Sequence, residues 1–116
     1  MKNSKVTTVT VLQRMLKLLT NGWTRGCDAR DRSGRAVSVN SPRAVRFCIG
    51  GARFHAAPGM MTIATRREVT SFLLDAGGIT GGPMISTFND APGRTKAEVI
   101  HVVRTALAMA RKAVQS

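Results

Sequence analysis

Residues 89 to 99 read NDAPGRTKAEV, which packs a turn, a helix start and the first core residue of a helix into one short stretch. Asn89 and Asp90 are turn formers, because their short side chains bond the backbone two residues on. Pro92 fixes φ, and Gly93 supplies a left-handed position. Thr95 and Glu98 have the spacing of a capping box, in which hydroxyl and carboxylate each close on the other's backbone amide. Val99, Val103, Ala106, Leu107 and Ala110 then recur at helical spacing, which predicts a long helix to about Val114. Arg111 and Lys112 fall in its last turn, where cations suit the negative end of the dipole.

The same grammar runs upstream. Leu12, Met15, Leu16 and Leu19 stand at i, i+3, i+4 and i+7, predicting a first helix over Thr8 to Thr20. Asn21-Gly22 stops it, with Gly22 suited to a left-handed residue and Trp23 folding back as a core anchor. Asp31-Arg32-Ser33-Gly34 is a turn between Cys27–Arg30 and Arg35–Val39, read as a short hairpin or ordered loop. Ser41-Pro42 offers a capping hydroxyl and a proline at a first helical position. A second helix from there places Ala44, Phe47, Cys48, Gly51, Ala52 and His55 on one side, with Arg43, Arg46 and Arg53 opposite. Pro58-Gly59 ends it. Thr65 and Glu68 form a second capping box before Val69, Phe72, Leu73 and Ala76, and Gly77-Gly78 closes that third helix. Gly81-Gly82-Pro83 prolongs the break, and Met84, Ile85 and Phe88 suggest a short helical turn or apolar plug. The expected fold is mainly α: a compact bundle of about four helices, with a short hairpin or ordered loop between helix 1 and helix 2. Residues 1–116 make one domain, with residues 1–6 disordered.

Composition bounds the partners. Eighteen Lys and Arg against six Asp and Glu give a net charge of +12, and the pI is near 11.7. Charge of this size argues about partners rather than fold, and a polyanion is the natural one. Only 4% of residues are aromatic and none is Tyr. That argues against a stacking platform for single strands, so any nucleic-acid contact is phosphate-led. No apolar run approaches the ~20 residues of a membrane span, and the N-terminus makes a poor signal peptide. Cys27 and Cys48 lack metal-site spacing and are expected to be free thiols in a cytoplasm. No phosphate-binding loop, dinucleotide fingerprint or metalloprotease motif occurs, so no cofactor and no metal is expected.

The candidate site is cationic. Arg25, Arg30, Arg32, Arg35, Arg43, Arg46 and Arg53 face two acids between positions 25 and 53. Arg rather than Lys favours phosphate, whose oxygens match the guanidinium fork. The leading expectation is a small basic binding protein that contacts nucleic acid without sequence preference. The alternative is a phage-type regulator docking on an acidic host protein through the same face. A third reading takes Cys48, His55 and Asn89 or Asp90 as the parts of a cysteine hydrolase. It is disfavoured, because a mid-helix cysteine on an apolar face is an inert packing residue. Asn89 and Asp90 are explained by turn chemistry, and Arg94 is expected to bind a carboxylate within the chain, Asp90 being the candidate, in preference to an outside phosphate.

Three motifs together carry a resemblance: GWTRGCDARD (residues 22–31) with Gly34-Arg35, SPRAVRFCIGGA (41–52), and FNDAPGRTKAEV (88–99) with its Ala-rich helix. In this order, over Leu16 to Ala110, the chain resembles an uncharacterised domain family of bacterial, largely actinobacterial, and phage genomes. Phe47 stands where that family often has Trp. The resemblance implies a compact helical domain of bacterial or phage origin, and no reaction.

Overall fold

A computed structural model describes residues 7–57, 61–79 and 85–115. The expectations for residues 1–6, Pro58-Gly59, Gly81-Gly82-Pro83 and Met84 lie outside the described residues.

The described chain is mainly helical, as its periodicity predicts. In order it forms α1 (Thr8–Asn21), β1 (Ala29–Arg30), β2 (Arg46–Phe47), α2 (Ile49–Ala56), α3 (Ile63–Ala76), α4 (Ile85–Asn89) and α5 (Lys96–Gln115). The fifth helix, α4, is the short turn expected around Ile85 and Phe88. Helix α1 is the centre, packing against α5, α2 and α3, and α3 also packs against α5. The predicted stripe of α1 supplies Leu12, Met15 and Leu19 to the core, together with Val11, all wholly buried. Val69 and Leu73 of α3 and Val99, Val103 and Ala106 of α5 meet them there. The α5 capping box forms as expected: Thr95 N donates to Glu98 Oε1 (2.9 Å), and Glu98 N donates to Thr95 Oγ1 (3.2 Å).

Three local expectations are corrected. Gly22 is not left-handed; its φ is −173°, an ordinary extended value. Glycine is required by crowding, since a Cβ there would stand 2.2 Å from the Val45 carbonyl oxygen. The Thr65–Glu68 capping box does not form. Thr62 caps α3 instead, accepting from Thr65 N at 3.0 Å, and Glu68 accepts a hydrogen bond from Thr8 of α1. Helix 2 does not begin at Ser41. Ser41 closes a turn, its hydroxyl accepting from Arg43 N, and Arg46–Phe47 go into a strand.

That strand displaced the helix because it has partners on both sides. It pairs antiparallel with β1, Ala29 opposite Phe47 and Arg30 opposite Arg46. On the other side it meets the residues after α1: Phe47 N donates to Gly22 O, and Thr24 N donates to Phe47 O, each at 3.0 Å. The Ser41-Pro42 capping signal loses to tertiary pairing of a β-branched and aromatic segment, as weak local propensities often do. The expected DRSG turn is present, with Gly34 at φ +93° and a bridge between Arg30 and Ala36. Helix α2 therefore starts at Ile49 with Cys48 as its cap, the thiol accepting from Gly51 N at 3.2 Å.

The opening stretch holds these pieces together through Asn89. This side chain is wholly buried at the end of α4. Its Oδ1 accepts from Trp23 Nε1 (2.8 Å) and from Ile49 N (3.1 Å), and its Nδ2 donates to Thr24 O (3.2 Å) and Asp90 Oδ1 (2.9 Å). Both groups on Oδ1 can only donate, so the amide orientation is fixed by chemistry. Asp90 Oδ1 also accepts from Gly26 N at 3.1 Å, and Arg25 donates to Ala91 O. Asn89 and Asp90 are thus structural, as expected, but by long-range bonds rather than turn chemistry. Gly93 does take a left-handed φ of +78°. Arg94 does not pair with Asp90; its guanidinium covers the Phe88 ring at 3.8 Å and lies 3.5 Å from Glu98.

Replacing Asn89 with Ala strands the Trp23 indole N–H, the Ile49 amide and the Thr24 carbonyl away from water. Unmet buried groups cost roughly 1–3 kcal/mol each, so Asn89→Ala is expected to lose about 3 kcal/mol or more in urea unfolding. Asn21→Ala, at an exposed position, is expected to stay within about 0.5 kcal/mol of the parent.

Candidate nucleic-acid interface

The seven arginines separate into two groups. Arg30 is half-buried and committed to the fold: Nε donates to Thr24 Oγ1 (2.7 Å), Nη1 to Gly34 O (2.9 Å) and Nη2 to Arg25 O (3.0 Å). Arg25 is exposed but donates to Ala91 O at 3.1 Å. Arg53 is half-buried and donates to Thr70 Oγ1. Burial, and behind it the nearby Arg66 charge, pushes its guanidinium below its ordinary pKa.

Arg32, Arg35, Arg43 and Arg46 are exposed. Among the described residues, the side chains of Arg32, Arg43 and Arg46 meet no hydrogen-bonding or ion-pairing group. The stripe expected on one helix face does not exist. Arg43 lies in the Ser41 turn, Arg46 in β2 and only Arg53 in α2. The fold gathers the cations differently, by bringing the DRSG turn against the Ser41 turn. Arg32 and Arg43 face a shared concavity of about 430 Å³, with Ser33, Pro42, Val45 and Asp31 completing its wall.

Asp31 is the one acid of that concavity, and its charge is held locally. Its Oδ1 accepts from Ser33 Oγ (2.7 Å), Ser33 N (2.9 Å) and Arg35 N (2.9 Å). The Ser33 hydroxyl first, then the Arg35 amide, lowers its pKa below the usual carboxylate value. The carboxylate therefore acts as a staple of the turn, keeping Arg32 and Arg35 on its outside.

The cysteine constellation is only partly assembled. Cys48 is not mid-helix but at the N-cap of α2, the position that ordinarily activates a thiol. Burial nevertheless pushes its pKa up, opposing the Gly51 amide, and the Asp28 charge adds to the rise. Its Sγ donates to Asp28 Oδ1 at 3.9 Å. His55 turns elsewhere: Nδ1 donates to Val39 O at 2.7 Å, and the ring lies 4.9 Å from that of Phe47. No thiol–imidazole pair exists among the described residues. Asn89 is spent on Trp23, Thr24 and Ile49. No local signal places Asp28 beside Cys48, since their meeting depends on the antiparallel pairing of Ala29 with Phe47. Both cysteines are free thiols, and no cluster of metal-binding side chains occurs among the described residues.

The Cys48 thiol should react slowly. In native protein, Cys27 is expected to be titrated first by a thiol reagent, and Cys48 only on unfolding. The folded state keeps the Cys48 proton to higher pH than the unfolded chain. Stability should therefore fall as pH rises past the ordinary thiol pKa of about 8.5, and Cys48→Ala should remove that part of the decline in urea titrations.

Comparisons with known proteins agree with the motifs. No curated protein and no solved structure matches the chain significantly. None of the described helices is long and apolar enough to cross a membrane. One family description, a family of unknown function (DUF6197), matches residues 3–109. Since that match takes in nearly the whole sequence, including the Trp23, Cys48 and Asn89 segments that the fold joins, the chain belongs to this family of unknown function.

Proposed function

We propose that the protein is a small accessory protein of a bacterial cytoplasm that contacts nucleic acid through its phosphates, using Arg32, Arg35, Arg43 and Arg46. The observation that carries this reading is the meeting of Arg32 and Arg43 across one concavity, with no partner for either among the described residues. Guanidinium forks match phosphate oxygens, and a net charge of +12 steers a polyanion toward any such cluster. Arg25 is bonded to Ala91, and Arg30 and Arg53 serve the fold. Trp23, the single tryptophan, is partly buried with its indole N–H held by Asn89, and there is no Tyr, so the chain has little to offer for base stacking. Recognition is therefore of the backbone, without sequence preference. The two free thiols suit a reducing compartment.

The test is fluorescence anisotropy with mixed-sequence duplex and single-stranded DNA and RNA across a salt series. Four neutralised phosphates predict a slope of log K against log salt of about −3 to −4. Replacing Arg32, Arg35, Arg43 and Arg46 together with Gln should weaken binding by about tenfold or more and flatten that slope. Replacing Arg104 and Arg111, exposed on α5, should change little. A flat salt response, or undiminished affinity in the four-site variant, overturns the proposal. Capture of an acidic host protein after nuclease treatment, without nucleic-acid binding, would replace it with the protein-docking reading.

A further inference from the structure

Away from the arginine turns, α2, α3 and the start of α4 enclose a cleft of about 630 Å³. This is the size that holds a small organic ligand. Its wall is mostly apolar, from Val39, Phe54, Leu74 and Ile85, with Gly50 and Gly51 beside them. A second groove, of about 380 Å³, shares Arg53, Thr70 and Leu74 with the first and adds Arg66 and Arg67. Arg53 thus stands at the junction of an apolar space and a cationic one.

The state of Arg53 is unusual. One terminal nitrogen donates to Thr70, but Nε is screened from solvent and meets no acceptor among the described residues. Buried donors are nearly always satisfied, and a guanidinium in an apolar wall ordinarily has a carboxylate beside it. Here the nearby charge is another cation, Arg66, whose guanidinium lies 5.8 Å over the ring of Phe54. Phe54 itself is 47% exposed, a large apolar side chain left at the mouth. The cleft wall carries Asp28 and Arg53, and the groove Asp75 against Arg53, Arg66 and Arg67, so the two spaces together hold three arginines and two acids.

We infer that this cleft binds a small amphiphilic anion, its aliphatic or aromatic body lying along Phe54, Leu74 and Ile85 and its carboxylate or phosphate head on Arg53, within reach of Arg66 and Arg67. The head supplies the acceptor that Arg53 Nε lacks and relieves the repulsion between Arg53 and Arg66. The body covers the exposed ring of Phe54. This site is separate from the concavity of Arg32 and Arg43, and its occupant is not a nucleic acid.

The experiment titrates the full chain with octanoate, octyl phosphate, 1-octanol and inorganic phosphate, read by calorimetry and by amide shifts in a nitrogen-15 spectrum. Octanoate or octyl phosphate is expected to bind about tenfold more tightly than 1-octanol, with shifts at Gly50, Gly51, Phe54 and Thr70. Which of the two binds better identifies the head group. Arg53→Gln should abolish the preference for the anion. Because Arg53 is half-buried, the exposed pair Arg66→Gln and Arg67→Gln serves as a second variant, expected to reduce the preference while circular dichroism stays unchanged. The variant lacking Arg32, Arg35, Arg43 and Arg46 should bind octanoate as the parent does, whatever becomes of nucleic-acid binding. Equal binding of octanoate and 1-octanol, no binding of either anion, or an unchanged preference in folded variants at Arg53 or at Arg66 and Arg67 overturns the inference. So does binding of inorganic phosphate as tightly as octyl phosphate.

Discussion

The Asn89 carboxamide has no surface in water, and it joins three segments that are far apart in sequence. Its oxygen takes the indole N–H after α1 and the first amide of α2, and its nitrogen reaches the Thr24 carbonyl. Four consecutive residues, Trp23 to Gly26, each spend one bond on the segment from Asn89 to Ala91. A buried amide with every donor and acceptor met specifies one arrangement, because any slip leaves polar groups unpaired in a medium of low dielectric. The small sheet, the start of α2 and the exit from α4 inherit their positions from it.

Close backbone approach does the rest around this joint. A Cβ on Gly51 would stand 2.0 Å from the Asp28 carbonyl oxygen, so the loop before β1 rests directly on α2. The same carbonyl accepts the Cys48 amide at 3.2 Å, fixing where α2 begins. With the cap a thiol rather than a hydroxyl, the helix start is satisfied by a group that tolerates an apolar setting.

The parts of the sequence that could be read correctly were those whose signals are local. The stripes of α1, α3 and α5 follow helical spacing, and Thr95 with Glu98 find each other three residues apart. Ser41-Pro42 carried an equally good local signal and failed, because Phe47 has backbone partners at Gly22, Thr24 and Ala29 that no short window contains. Thr65 failed in the same way, its expected partner Glu68 being drawn across to Thr8. For the candidate site, residue type was legible and geometry was not. Seven arginines in one stretch are plain in the sequence. Arg30 bonding three oxygens, or Arg32 meeting Arg43, depends on how the DRSG turn folds onto β1. The cleft at Arg53 had no sequence signal, since its walls come from three helices and its meaning lies in a missing partner.

The bond between Trp23 and Asn89 gives the protein an optical gauge of its own joint. There is one Trp and no Tyr in the chain, so its ultraviolet emission comes from a single indole. That indole donates to the amide on which the fold turns. Helical circular dichroism, by contrast, sums over α1, α3 and α5. If the two signals separate on heating or in denaturant, the joint has opened while the bundle persists, and the protein is not two-state. The wavelength of one fluorophore would then report on the contact that brings the Trp23, Cys48 and Asn89 segments into one place, without any label added.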